Sequence, residues 1–166
     1  MKYTLDVTPA VHYAETLRRA PDVVRSEIGA GIDEASSLLV REVKDTTPVG
    51  VTEALRASII SERRDSGPDV QAAVFSPLNY AAAVELGTRP HYPPIEPLQD
   101  WVRKKLDVTD EDDVRRVARL IMWKIGRKGT KPLNMFGSSL GRLTPQMSEI
   151  LRRAFARALE RLSKGR

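Results

Sequence analysis

Apolar positions change their period several times along the chain, and each change predicts a new element. Residues 2–8, KYTLDVT, alternate apolar and polar side chains as a half-buried strand does. From Pro9 the spacing turns helical, first in a short helix to about Arg19. Beyond it Val23, Val24, Ile28, Ile32, Ala35, Leu38, Leu39 and Val43 recur at helical intervals. Pro21-Asp22 suits the first turn of this main helix and Pro48 follows its end, so its expected span is about 22–45. Gly29 and Gly31 weaken its middle by up to about 1 kcal/mol each relative to alanine. Glycines there are explained if another backbone packs close.

A turn at Pro48–Gly50 and a single helical turn over Thr52–Leu55 come next. Residues 56–64 and 69–76 are β-branched or alternating runs around Ser66-Gly67-Pro68, the pattern of an antiparallel hairpin. A short apolar helix opens at Tyr80. Two more helices are expected, Pro94–Leu106 carrying Trp101, and Asp110–Ile125 with Thr109 as its cap and an acidic first turn. Residues 126–142, GRKGTKPLNMFGSSLGR, hold four glycines among basic residues and read as a flexible loop that orders on binding. The last helix is expected from about Thr144 to Leu162, with Met147, Ile150, Leu151, Phe155, Leu159 and Leu162 as its apolar stripe. There is no internal repeat. The fold class is α+β: a small antiparallel sheet packed against one long helix, with additional C-terminal helices. Leu38, Leu39, Leu55, Ile59, Val74, Val84 and Phe155 lie on the apolar sides of their elements and are the expected core. With 166 residues, the chain is expected to form a single domain, 1–166, carrying a helical insertion at about 94–130.

Composition narrows the function. There is no cysteine, so disulfides and thiolate metal sites are excluded, and no apolar run is long enough for a membrane span. No signal peptide is read at the start, and the expected setting is cytoplasmic. The net charge is +5, and basic residues gather toward the C-terminus. Arg127, Lys128, Lys131, Arg152, Arg153 and Arg157 form the expected basic surface. Such a surface suits nucleic acid or an acidic protein face, although a solvated helix face is the simpler reading. His12 and His91 lack any metal-ligand spacing, GRKGTK lacks the phosphate-loop spacing, and no serine sits in a nucleophile elbow. No cofactor is expected.

The stretch Tyr80–Pro94, YAAAVELGTRPHYPP, is the most pointed in the chain. A short apolar helix ends at Leu86-Gly87-Thr88 and runs into a loop of three prolines, a histidine and a tyrosine. Glu85 is a candidate general acid or base, with Asp100 as a possible partner and a small hydrolase around Glu85 and His91 as the implied activity. The structural alternative is that Glu85 bonds backbone amides of the Gly87-Thr88 turn, or pairs with Arg89 or another arginine. Prolines fix φ and reduce the entropy lost on docking, and tyrosine and histidine offer amphipathic contact area. That chemistry is one of recognition. Arg89, His91, Tyr92, Pro93 and Pro94 are therefore the expected assembly interface, with Glu85, Gly87 and Thr88 stabilising the turn behind them.

Four pieces together carry a resemblance. TPVGVTEALRASI (47–59) resembles a P-V-x-T-G-x-L-R-x-S-I pattern and YAAAVELGT (80–88) resembles Y-A-x-x-V-E-x-G-T. HYPPIEPLQDWVRKKL (91–106) and ARLIMWKIGRKGTKPLNMF (118–136) resemble a helical insertion ending in K-G-T-x-P…F. Over about residues 20–160 the chain is similar to the small tail-morphogenesis proteins of long-tailed bacteriophages, the tail-component or head–tail joining (neck) family. One departure stands out: where the pattern has T-G before the leucine, this chain has Thr52-Glu53-Ala54, with a glycine earlier at Gly50. The resemblance implies a non-enzymatic virion protein at the neck or head-proximal tail end. It implies a homo-oligomeric ring, expected to be a hexamer, that completes the tail or joins it to the head. Partners would be its own copies and other neck and tail proteins, with a passing contact to genomic DNA and none to a membrane. Location would be the virion, and the host cytoplasm during assembly. A basic nucleic-acid-binding module is the alternative, weakened because the nine aromatics do not interleave with the basic residues as stacking platforms would.

Overall fold

A computed structural model describes residues 8–48, 53–66 and 69–164, with side chains described from residue 20 onward. Eight elements follow in order: α1 (Thr8–Thr46), α2 (Ala54–Ser58), β1 (Ile60–Ser66), β2 (Asp69–Phe75), α3 (Ala81–Leu86), α4 (Ile95–Leu106), α5 (Glu111–Lys128) and α6 (Met135–Ser163). The fold is α+β as expected, with β1 and β2 forming a two-stranded antiparallel sheet. The expected strand over residues 2–8 lies outside the described residues, apart from Thr8, which begins α1. The Pro48–Gly50 and Gly67-Pro68 turns also fall largely outside them.

Two boundaries differ from the sequence reading, one set at Pro21 and one set by the glycine-rich run before Thr144. α1 runs through Pro21, so the expected short helix and long helix are one. Pro21 lacks the N–H for its i→i−4 bond and its ring crowds the carbonyl four residues back, yet the helix continues through it. Likewise α6 contains Pro145 and begins at Met135 rather than near Thr144. About half of the expected loop 126–142 is thus helix, residues 126–128 end α5, and only residues 129–134 stay outside both helices.

The chain divides into two compact units, one of residues 1–39, 61–74 and 142–166, the other of residues 40–60 and 75–141. In the first unit α1 packs on α6 through small residues. A Cβ built on Gly31 would stand 2.7 Å from the Ala154 Cβ, so the two helices approach where neither carries bulk. Ala35, Ile150, Ala154 and Ala158 are buried around this contact. The expected close backbone is not what these glycines meet: at Gly31 the near neighbour is a methyl group. Gly29 makes room for the Arg63 guanidinium, which bonds Asp33 at 2.6 Å and ties β1 to α1.

Phe155, expected in the core, is half exposed, beside the buried stripe of α6 rather than in it. Alanines occupy the buried stripe instead because a close helix–helix approach leaves no volume for a ring. Leu55 and Ile59 are buried as expected, whereas Leu38, Leu39, Val74 and Val84 are only partly covered. β1 is exposed throughout, and β2 is exposed at four of its seven positions.

In the second unit α4 and α5 form a helical hairpin around Val102, Val114 and Ala118, flanked by Ile95, Leu98, Val108, Val117 and Ile121. Its cap is Asp110 rather than Thr109: the carboxylate accepts from the amides of Asp112 at 3.0 Å and Asp113 at 2.9 Å. A carboxylate there adds favourable charge at the helix N-terminus, which a hydroxyl cannot. Elsewhere in the unit Val43, Thr47, Met135 and Ser139 are buried together.

Candidate assembly interface

Two Gly-Thr dipeptides, Gly87-Thr88 and Gly129-Thr130, meet in space. Both glycines have left-handed φ, 73° and 68°, a region that costs L-residues energy and glycine almost none. Each turn brings its threonine into an antiparallel bridge with the other. The Thr88 amide donates to the Thr130 carbonyl and the Thr130 amide to the Thr88 carbonyl, both at 3.2 Å. Their hydroxyls lie 3.1 Å apart. A side chain on Gly87 would collide with the Thr130 carbonyl and one on Gly129 with that of Thr88, so the crossing has no room for either.

Glu85 completes this knot in a way the local sequence hid. Its carboxylate accepts from the backbone amides of Phe136 and Gly137, both at 3.0 Å. Those are two of the unpaired donors of the α6 N-terminus, so Glu85 caps a helix whose first residue is 50 positions away. It does not bond the amides of its own turn, nor does it pair with Arg89. The carbonyls of Val84 and Glu85 accept from Leu133 and Asn134 at 3.1 and 3.0 Å, which zips α3 to the approach of α6. With both carboxylate oxygens occupied by amides, Glu85 is a structural anchor. Asp100 is engaged elsewhere, 3.0 Å from Arg103.

The proline-aromatic loop issues from this anchor. Arg89, His91 and Tyr92 are exposed, Pro93 is half-buried, and Pro94 caps α4 with φ −54°. His91 Nδ1 lies 3.0 Å from the Arg89 carbonyl, and the His91 amide reaches the Ile125 carbonyl at 3.4 Å. The Tyr92 ring lies against Gly126 of α5 so closely that a side chain there would overlap it. Even so, Tyr92 stays 63% exposed. A rigid, stapled loop thus holds a tyrosine out to solvent, the arrangement an interface anchor needs.

The basic residues separate into two groups. On α6 Arg157 and Arg161 clamp Glu27 at 3.1 and 2.7 Å, and Arg153 approaches Glu34 at 3.6 Å. Arg152 pairs with Glu149. The guanidiniums of Arg161 and Arg157 hold the Glu27 carboxyl below the usual carboxylate range. These arginines act within their own unit, which removes most of the positive stripe that a nucleic-acid reading needs. On α5, by contrast, Arg127 stands over the Trp123 ring at 5.6 Å, while Lys128 at its end and Lys131 just beyond it are exposed.

Three features were missed from sequence: the Glu85 cap, the Tyr92–Gly126 contact, and an exposed apolar strip of Leu120 and Trp123 on α5. The repeated Gly-Thr dipeptide was a signal for the crossing; nothing local signalled the cap. His12 lies where only the backbone of α1 is described. Among the described residues no cluster of histidines and carboxylates could hold a metal ion, and no helix is long and apolar enough to cross a membrane. No curated protein and no solved structure matches the chain. The family match covers α1 from residue 13 through Gly87 at the first Gly-Thr turn, a shorter span than the motifs suggested, and leaves α4, α5 and α6 outside it. Over residues 13–87 the chain matches the HK97-gp10-like family, described as "Bacteriophage HK97-gp10, putative tail-component", a tail-morphogenesis family of long-tailed phages.

Proposed function

We propose that this protein is a structural subunit of the phage neck or head-proximal tail end, which assembles with its own copies into a ring that completes the tail or joins it to the head. The coarser part of this reading, a structural tail component of the virion working beside other tail proteins, is supported by the family match over residues 13–87. The finer part rests on one observation: the loop Arg89–Pro94 is stapled rigidly at both ends while Tyr92 remains exposed. An aromatic held in place before binding loses little entropy on docking, so such positions concentrate interface energy. On this reading the chain acts as one neck domain, and the α4–α5 hairpin is its insertion. A hexamer is the expected copy number. The family's structural character is consistent with the absence of a reaction, and Glu85 has a structural task that accounts for its position.

The test is sedimentation velocity of the purified full-length chain over a wide concentration range, with electron microscopy of the heavy species. A discrete ring is expected, growing at the expense of monomer as concentration rises. A chain that stays monomeric at all concentrations, or forms only unclosed aggregates, overturns the ring.

A further inference from the structure

The sheet has two strands, so each keeps one edge whose amides and carbonyls have no neighbour in the sheet. Among the described residues no backbone group outside the hairpin bonds either strand. A two-stranded hairpin is marginal in water, and a third strand adds the pairing it lacks. The two edges are not alike. β1 carries Glu62, Arg63, Arg64 and Asp65 in succession, a run of charges that discourages a strand from adding. β2 reads Val70-Gln71-Ala72-Ala73-Val74-Phe75 after its first residue, without a charge, proline or glycine. None of the usual protections guards that edge, which leaves it open to an extended segment.

A sequence able to fill it stands at residues 2–7, outside the described residues, where Lys2, Thr4 and Asp6 alternate with Tyr3, Leu5 and Val7. In a strand the two sets fall on opposite faces. β2 has the same period, with Val70, Ala72 and Val74 on one face and Gln71, Ala73 and Phe75 on the other. Laid beside β2, Tyr3, Leu5 and Val7 continue the row of Val70, Ala72 and Val74.

These residues cannot pair with the β2 of their own copy. Arg63, midway along β1, is fixed at Gly29, where its guanidinium fills the space beside the glycine and bonds Asp33 at 2.6 Å. Thr8, the first residue of α1, precedes Gly29 by 21 residues of continuous helix, about 31 Å of axis. Either strand end at the hairpin tip is three residues from the level of Arg63, at most about 10 Å closer to Thr8, so a gap of about 20 Å remains. Six residues fully extended span about 20 Å. They would be spent on the crossing, with none left to pair. α1 instead carries them outward, away from their own sheet.

We propose that residues 2–7 of one copy add as a third strand to the β2 edge of the neighbouring copy. The occupant of that edge is a second copy of this chain. The arm and the edge are two different patches, so the exchange repeats head to tail and closes into a ring when the rotation allows. The inference therefore rests on the ring reading and names one of its joints. Main-chain hydrogen bonds supply the affinity, and the alternating side chains fix the register.

The chain has no cysteine, so engineered cysteines report the contact in the full-length protein. Thr4→Cys chains mixed with Ala73→Cys chains should form a disulfide-linked heterodimer on mild oxidation, with Gln71→Cys covering the neighbouring register. The double variant Thr4→Cys with Ala73→Cys should give a ladder of linked oligomers. A double variant linked only within its own chain would overturn the exchange, as would mixtures that do not link at either register. Adjacent strand residues aim their amides to opposite sides, so prolines at both Thr4 and Leu5 remove whichever amide faces β2. That variant should weaken self-association on the order of tenfold in sedimentation velocity, with the circular dichroism of the monomer unchanged. Rings that it forms as tightly as the parent would overturn this joint and leave the ring reading standing. A monomeric parent chain would sink both.

Discussion

Glu53 and Glu85 show how much a single residue can carry. Glu53 holds φ 55°, a left-handed conformation, at the position where the P-V-x-T-G-x-L-R pattern has glycine. An L-residue there costs roughly 1–2 kcal/mol, while glycine loses about 0.5–1 kcal/mol more backbone entropy on folding. Glu53→Gly should therefore raise stability by up to about 1 kcal/mol, seen as a higher urea midpoint with an unchanged slope. A lower midpoint would mean that the glutamate side chain supplies a compensating contact. Glu85 works in the opposite direction, since its charge satisfies two helix-terminal amides. Glu85→Gln keeps the shape and weakens the acceptor, and should cost about 1–2 kcal/mol in chemical denaturation. A neutral result would show that water can replace the cap. Sequence alone exposed the αL position as a departure from a pattern but gave no conformation. It gave nothing for the Glu85 cap, because the partners lie some 50 positions away and an amide donor carries no residue signature.

At the scale of elements, helical periodicity was legible wherever a long apolar stripe existed, as in α1 and α5, and glycine or proline obscured it elsewhere. α6 is the instructive case. GSSLGRLTP has poor helix propensity, yet α6 runs through it, capped by Glu85 and held by burial of Met135 and Ser139. Tertiary contacts that follow from the whole fold outweigh roughly 1 kcal/mol of glycine propensity. The α1–α6 contact turns the same propensity around. Gly31→Ala would favour the isolated helix by up to about 1 kcal/mol. However, the new methyl group would stand 2.7 Å from the Ala154 Cβ, and forced separation of two packed helices costs about 1–3 kcal/mol. The packing effect is the larger, so Gly31→Ala should lower the melting temperature. A rise would mean that the two helices part without loss, and that their alanine stripe is not a close joint.

For the whole molecule, the question is whether Tyr92 belongs to the monomer's core or to its assembly. Its contact with Gly126 argues for the first, its 63% exposure for the second. The loop is held by other groups, namely the Thr88–Thr130 bridge, the His91 amide and the proline ring at Pro94, so the tyrosine ring is not needed to shape it. Tyr92→Ala should then cost the monomer at most about 1 kcal/mol. Self-association, in contrast, should weaken by about 2 kcal/mol or more, the loss typical of a central aromatic anchor. Measured together, the melting temperature at low concentration and the dissociation constant of the proposed ring separate the two roles. Incorporation of Tyr92→Ala into phage particles should fall in step with the constant. A variant that melts several degrees earlier but assembles normally when folded would make the loop part of the core, and the interface would have to be sought elsewhere on the molecule.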